Sequence, residues 1–277
     1  MAWQEVGDRV FAWRYEFFNQ QIGVVLGGRD VMVIDTRSTP AQAREIVHDL
    51  RELTRDPVTI VVDTHWHFDH AFGNSVFRPA SVWGHVRTVD RLRTRGLAAL
   101  EEVAAEIPSI ASDIRETLID PPDRTFDERA TVEVGDRLVE LTYLGRGHTD
   151  TDIVITVPDG SHGGAGSGTG VLFAGDLLEA EAPPSFGDAY PLEWPETVER
   201  LLPLVRGAVV PGHGKVGDRS FVEEQLMDLR ALAALARRVH AGELDLETAV
   251  AEAPFGRNAS RDALGRALPQ LRGELLD

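Results

Sequence analysis

The run VTIVVD (58–63) leads directly into THWHFDHAFGN (64–74), and that junction constrains the fold more than any other stretch of the chain. A continuous apolar, β-branched run is the pattern of a strand buried on both faces, which requires a sheet covered on each side. At its C-terminal end stand three histidines and an aspartate within six positions, His65-x-His67-x-Asp69-His70. Residues i and i+2 of a strand share a side, so His65 and His67 point the same way and can grip one ion. Asp69 and His70 fall where the chain turns and reach toward a second.

The same placement recurs downstream. GRGHTDTD puts His148 in a glycine-flanked loop after the strand-like run ending at Leu144, LFAGD puts Asp176 just past a buried run, and VVPGHG does the same for His213. Asp35, closing VMVID, matches them. Sites are usually built on loops held at the ends of rigid elements.

Between these points RVFAWRY (9–15), IGVVL (22–26) and DVMVID (30–35), punctuated by Gly27-Gly28, read as an antiparallel meander. Thr39-Pro40 opens a helix running to Leu53. Residues 86–118 read as charged helix with a break at Pro108. TVEV (131–134), RLVELTYL (137–144) and DIVITV (152–157) form a second β region, followed by the low-complexity connector PDGSHGGAGSGTG (158–170). VLFAGD (171–176) and GAVVPGHG (207–214) complete it, and helix formers dominate 219–277, with breaks near 242, 254–256 and 273. The order, strands then helix then strand and ligand loop, repeated, predicts two β-plus-α halves facing each other with helices outside. No linker divides them, so residues 1–277 are expected to form one domain, with a helical insertion over 86–126.

Composition narrows the partners. The net charge of −17, with acidic residues spread along the chain, argues against nucleic acid, which is bound through lysine and arginine. It equally disfavours an anionic membrane surface. No apolar run approaches the roughly 20 residues of a membrane span, and MAWQEVGDRVFAWRYEFF lacks the basic and apolar regions of a signal peptide. A cytoplasmic protein acting on a small molecule is expected. With no cysteine, disulfides, zinc ribbons and thiol catalysis are excluded.

Taken in order, Asp35, His65-x-His67-x-Asp69-His70, His148, the Ala-Gly-Asp at Asp176 and the Gly-His-Gly at His213 resemble the metallo-β-lactamase-fold superfamily, over residues 9–215. The resemblance implies an α/β (α+β) fold, the four-layer αβ/βα sandwich, with the site at one edge between two sheets. It implies a hydrolase in which His65, His67 and His148 bind one metal, Asp69, His70 and His213 bind a second, and Asp176 bridges. Two divalent ions are expected, zinc foremost, with iron or manganese also suited to imidazole and carboxylate ligands. Such a pair shares a hydroxide and polarises the carbonyl it attacks, while Asp69 is placed to hand a proton to the leaving group. Asp35 would orient a histidine ligand from behind, or cap a turn.

Departures from the family's branches limit the chemistry. The plasmid-type β-lactamases carry a cysteine where Asp176 stands, and this chain has none. The charge disfavours the nuclease branches, and the C-terminal helices hold no basic cluster to receive a glutathione carboxylate as in glyoxalase II. Cleavage of an ester, thioester, lactone or lactam bond in a small molecule remains. The alternative from a different class is a persulfide dioxygenase-like oxidoreductase, which holds one iron through a subset of the same residues. The 86–126 insertion is expected over the site as a lid, and Phe186, Tyr190 and Trp194 of SFGDAYPLEWP (185–195) either as an apolar substrate wall or as a loop packed on the second sheet. Packing is the expectation for Trp66 and Phe68. His48 and His162 are expected in solvent, His240 at a helix end, and His85 in the core or on the surface, with a place near the site as the lesser alternative.

Overall fold

In the computed structural model, which describes residues 3–160 and 169–274, alternation within single strands decides the layers. The first sheet has the order β1 (Gln4–Gly7), β2 (Val10–Arg14), β3 (Gln21–Gly27), β4 (Asp30–Ile34), β5 (Val58–Val62), β6 (Ser81–His85), β7 (Arg124–Phe126). The second comprises β8 (Arg129–Val134), β9 (Arg137–Tyr143), β10 (Ile153–Pro158), β11 (Gly170–Glu179) and β12 (Val209–His213), in the order β12-β11-β10-β9-β8. Strands β1 to β4 pair antiparallel, as the meander reading requires, and β4 to β7 parallel. In the second sheet β11 and β12 run parallel while the other neighbours are antiparallel. The helices are α1 (Pro40–Asp49), α2 (Phe68–Ala71), α3 (Val86–Glu106), α4 (Ala111–Arg115), α5 (Trp194–Leu201), α6 (Arg219–His240), α7 (Leu246–Glu252) and α8 (Arg257–Leu271).

In β4 and β5, Val31, Val33 and Val61 face Ala43 and Ile46 of α1. Their neighbours Met32, Ile34, Ile60 and Val62 face Leu141, Ile153, Ile155 and Phe173 of the second sheet. Strand β11 divides likewise: Val171 and Phe173 face inward, while Leu172 and Ala174 meet Trp194, Leu229 and Leu264 of the outer helices. Period-two alternation with both sets apolar can be satisfied only by a strand covered on both faces. Four layers follow, helix, sheet, sheet, helix, which is the expected αβ/βα sandwich.

Most predicted elements recur within a residue or two. Thr39 caps α1, accepting from the Gln42 N–H, with Pro40 in the first turn. The helical insertion breaks around Pro108, between α3 and α4. Sequence reading misses β1, β7, α2 and α5; the first three span three or four residues and carry no full period. His162 lies outside the described residues, as does most of the 158–170 connector. Among the described residues no helix is long and apolar enough to cross a membrane.

The sheets also touch backbone to backbone. A Cβ on Gly27, at the end of β3, would stand 1.7 Å from the Val134 carbonyl oxygen. One on Gly135, in the β8–β9 turn at φ +57°, would stand 1.8 Å from the Gly27 carbonyl oxygen. Neither obstruction is a side chain that can swing away. Overpacking of this kind costs about 1–3 kcal/mol, so Gly27→Ala should lower the melting temperature by several degrees, at about 2–4 °C per kcal/mol for a chain near this size. Thermal melts of Gly27→Ala and Gly28→Ala settle this: Gly28 has open space around it, so any loss there reflects its φ of +60° alone, and equal losses would refute the close-contact account.

Candidate metal centre

The centre forms where parallel strands end. Asp35 closes β4, His65 follows β5, Asp176 lies within β11 and His213 ends β12, while His148 comes from the loop between β9 and β10. That loop is fixed by its own sequence: Asp152 accepts from the Thr149 N–H and Oγ1, both at 2.7 Å. Helix α2 lifts Asp69 and His70 away from the strand axis, and Thr36 holds it by donating from N (2.7 Å) and Oγ1 (3.0 Å) to the His70 carbonyl.

The structure brings all seven predicted ligands together. One group comprises His65, His67, His148 and Asp176, the other Asp69, His70 and His213, each with its ligand-type atoms within 4.8 Å of one another. Asp176 joins the two. Its Oδ2 lies 3.7 Å from His65 Nε2, 3.5 Å from His148 Nε2 and 3.3 Å from His213 Nε2, and its Oδ1 lies 3.3 Å from His70 Nε2. Asp69 Oδ2 stands 3.3 Å from His213 Nε2 and 3.5 Å from His70 Nε2.

Outer hydrogen bonds assign each ring. His70 Nδ1 donates to Asp35 Oδ2 at 2.8 Å. Thr64 Oγ1 donates to the same oxygen (2.9 Å) and so accepts from His65 Nδ1 (3.0 Å), which makes Asp35 the anchor of two ligands, one through a relay. His148 Nδ1 donates to the Ser185 carbonyl (3.2 Å) and His213 Nδ1 to the Phe18 carbonyl (2.8 Å). His67 is reversed: Nε2 donates to Asp188 Oδ1 at 3.0 Å and leaves Nδ1 inward. With the outer nitrogen protonated, each neutral ring aims a lone pair at the others. His67 Nδ1 and His148 Nε2 face each other at 2.9 Å, and His70 Nε2 and His213 Nε2 at 3.2 Å. His65 Nε2 and Asp176 Oδ1 are buried without any hydrogen-bond partner. Opposed acceptors and buried orphans in one volume are resolved by cations, so the residues fit divalent metal.

Protonation tells the same story. Burial opposes charge on His70 and His213, yet Asp176 and Asp69 override it and raise both well above the ordinary histidine range. For His67, burial is overridden by Asp188, and the pKa rises to about 9. Burial lowers His65, and takes His148 down to about 4. Burial would raise Asp176, but His213 and His70 hold it well below the carboxylate range. The metal-free cluster therefore gathers protons that a metal must displace.

Above the centre lies a cavity of about 590 Å³, floored by His67, Asp69, His148, Asp176 and His213. Helix α3 supplies one wall, so the insertion does lie against the site. Trp66 and Phe68 line the cavity too, beyond the packing role expected of them. Phe186, Tyr190 and Trp194 do not. Phe186 packs 5.5 Å from Phe255, Arg146 stacks over Tyr190, and Trp194, fully buried, donates to the Leu177 carbonyl and backs His148 at 5.7 Å. The wall there is made instead by Ser185, Gly187 and Asp188, since Phe186 and Trp194 turn into the helix-covered core and Tyr190 lies under Arg146. His85 is also away from the centre, buried against Tyr143 at 4.3 Å and donating to the Asp127 carbonyl. His48 is exposed, and His240 ends α6 in the open.

Sequence reading missed two carboxyls. Asp188 accepts from both His67 and the Trp66 indole N–H (3.2 Å), tying the 182–188 loop to a ligand. Glu179 lines the cavity, and burial, with Asp176 nearby, pushes it up to about 8.

A family model, the metallo-beta-lactamase superfamily, matches residues 15–237. Geometry and family together define the class, a hydrolase with a histidine and aspartate metal-binding cluster. The chain belongs to the metallo-beta-lactamase superfamily. It is 27% identical over 206 residues to a metallo-beta-lactamase type 2 of Bacillus sp. (strain 170), covering 72% of this chain and 69% of that one. It is 24% identical over 207 residues to one of Bacteroides fragilis, covering 72% and 71%. Among solved structures, a metallo-beta-lactamase from Pontibacter korlensis superposes with a TM-score of 0.62 at 23% identity, over 82% of this chain and 98% of that one.

Two outcomes follow. Asp188→Asn should weaken retention of metal by about 10- to 100-fold, the usual effect of losing an orienting partner, in chelator competition on a folded protein. Because His67, His70 and His213 are protonated below their raised pKa values, metal affinity should fall as pH drops below about 9. A pH-independent affinity between 6 and 9 would refute that protonation pattern.

Proposed function

We propose that this protein is a dinuclear metallo-hydrolase that cleaves an ester, thioester, lactone or lactam bond in a small molecule. The observation that carries the reading is the convergence of five imidazole lone pairs on two carboxylates, split into two donor sets that share Asp176. His65, His67 and His148 would hold one ion, Asp69, His70 and His213 the other, and Asp176 both. The donors are nitrogen and oxygen without thiolate, a set suited to zinc and also to iron or manganese. Bound divalent cations supply a hydroxide at neutral pH and polarise the carbonyl it attacks.

The chain's own groups do the rest. Asp35 and Asp188 fix the ring orientations, and Asp69, which lines the cavity as a carboxylate, would take the proton released by the attacking water and pass it to the leaving group. A cavity of about 590 Å³ suits a small molecule. The charge of −17 supports exclusion of nucleic acid, and a gel shift at physiological salt should show no binding.

Asp176→Asn tests the site. The amide keeps the size and one oxygen but loses the charge that offsets two cations. Elemental analysis should find one ion retained by His65, His67 and His148 where the parent holds two, with activity down by orders of magnitude. One iron in the parent and none in the variant would move the assignment to the persulfide dioxygenase-like chemistry. Two ions in both would refute the bridge.

A further inference from the structure

The cavity has two unlike walls. One is aromatic, built from Phe18, Trp66 and Phe68, with the Phe18 and Phe68 rings 6.0 Å apart and nearly perpendicular. Phe18 is 44% exposed and adopts φ +59°, a conformation that a bulky side chain keeps only under external constraint. The constraint comes from the centre itself, since His213 Nδ1 donates to the Phe18 carbonyl and Gly214 N to that of Asn19 (both 2.8 Å). The backbone that carries the ring is thereby held beside the cavity.

The other wall is a stripe of α3. Arg95, Ala99, Glu102, Val103 and Glu106 recur at helical spacing and line the cavity, while Leu100 and Ala104, on the adjoining side, pack into the core with Ala99 and Val103. Glu102 and Glu106 are like charges at i, i+4, an arrangement that weakens a helix. Arg95 reaches Glu102 only at 4.0 Å, and Glu106 has no ion-pair partner among the described residues. The stripe therefore carries one cation against two anions, inside the field of a chain with net charge −17.

We propose, resting on the hydrolytic reading above, that the cavity selects acyl compounds with an apolar body and a positively charged remote end, and discriminates against those whose remote end is anionic. Aromatic faces beside carboxylates attract a cation through both the ring quadrupole and charge. The same pair of walls offers an anionic end only Arg95, which stands beside Glu102 at 4.0 Å.

The test uses three 4-nitrophenyl esters identical except at the end of the acyl chain, which is trimethylammonium, tert-butyl or sulfonate. The quaternary ammonium has no lone pair for a metal, so it reports on the walls alone. The metal-loaded full chain should show kcat/KM falling in that order. About twofold to fivefold per exposed carboxylate gives roughly tenfold between the extremes, shrinking as salt is raised. Glu106→Gln and Glu102→Gln should reduce the ammonium to tert-butyl ratio. Phe18→Gly, which keeps the left-handed backbone while removing the ring, should raise KM for the ammonium and tert-butyl esters at unchanged metal content. Hydrolysis of the tert-butyl ester with equal or inverted ratios would overturn the charge selection and leave the hydrolase reading standing. No hydrolysis of any ester by fully metallated protein would count against that reading instead. The selection is then decided by calorimetry with three unreactive ethers bearing the same ends, where any order other than ammonium first and sulfonate last overturns it.

Discussion

Seven groups that all accept hydrogen bonds or protons occupy one buried volume. With neutral rings such a volume is unfavourable, since lone pairs would face lone pairs at 2.9 and 3.2 Å, so without metal it gathers protons instead, while an Asp176 oxygen sits where water does not reach. The arrangement persists because every ring is clamped from behind, so the inward nitrogens cannot rotate apart. The scaffold thus holds the donors in a pattern that only positive charge completes.

Those clamps come from distant parts of the chain. Asp35 and Thr64 belong to the first sheet, the Phe18 carbonyl to the turn between β2 and β3, and Ser185 and Asp188 to the loop after β11. The ligands divide the same way, four from the segment after β5 and three from the second half. Packing the inner faces of the sheets, with Gly27 and Gly135 allowing direct backbone contact, fixes the distance between the two ligand sets. Folding energy and site geometry therefore share one origin: apolar burial between the sheets sets where the polar edge falls.

The sandwich and the cluster of histidines and aspartates were legible because each rests on a repeated local pattern. Strands β4, β5 and β11 carry apolar residues on both faces, and His65, His67 and His213 stand at or just past a strand end. Asp188 was hidden because an aspartate in FGDAY reads as a turn residue; only its contact with His67, 121 positions away, reveals its role. The aromatic wall was misplaced for a related reason. Composition says that Phe186, Tyr190 and Trp194 will be buried, but not on which side of their loop, and Trp194 opens α5, whose apolar face carries it into the core. Phe18 escaped notice because a positive φ outside glycine leaves no trace in sequence.

A metal centre of this kind explains reactivity without fixing the substrate. Its floor is dictated by coordination chemistry, and any chain that keeps the donors and their clamps can offer the same reaction. The walls are under no such constraint. Here they come from α3, a helix packed through Leu100 and Ala104, from Phe18, Trp66 and Phe68, and from the 182–188 loop, which Phe186 anchors from behind. Apart from Asp188, side chains on the cavity side of these elements, such as Arg95, Glu102 and Glu106, can change without touching the histidine and aspartate cluster. Similarity to proteins named lactamases accordingly bears on the fold and the family. The compound that enters depends on a few wall residues, and Asp188 is where wall and floor meet, one carboxylate holding both the loop and His67.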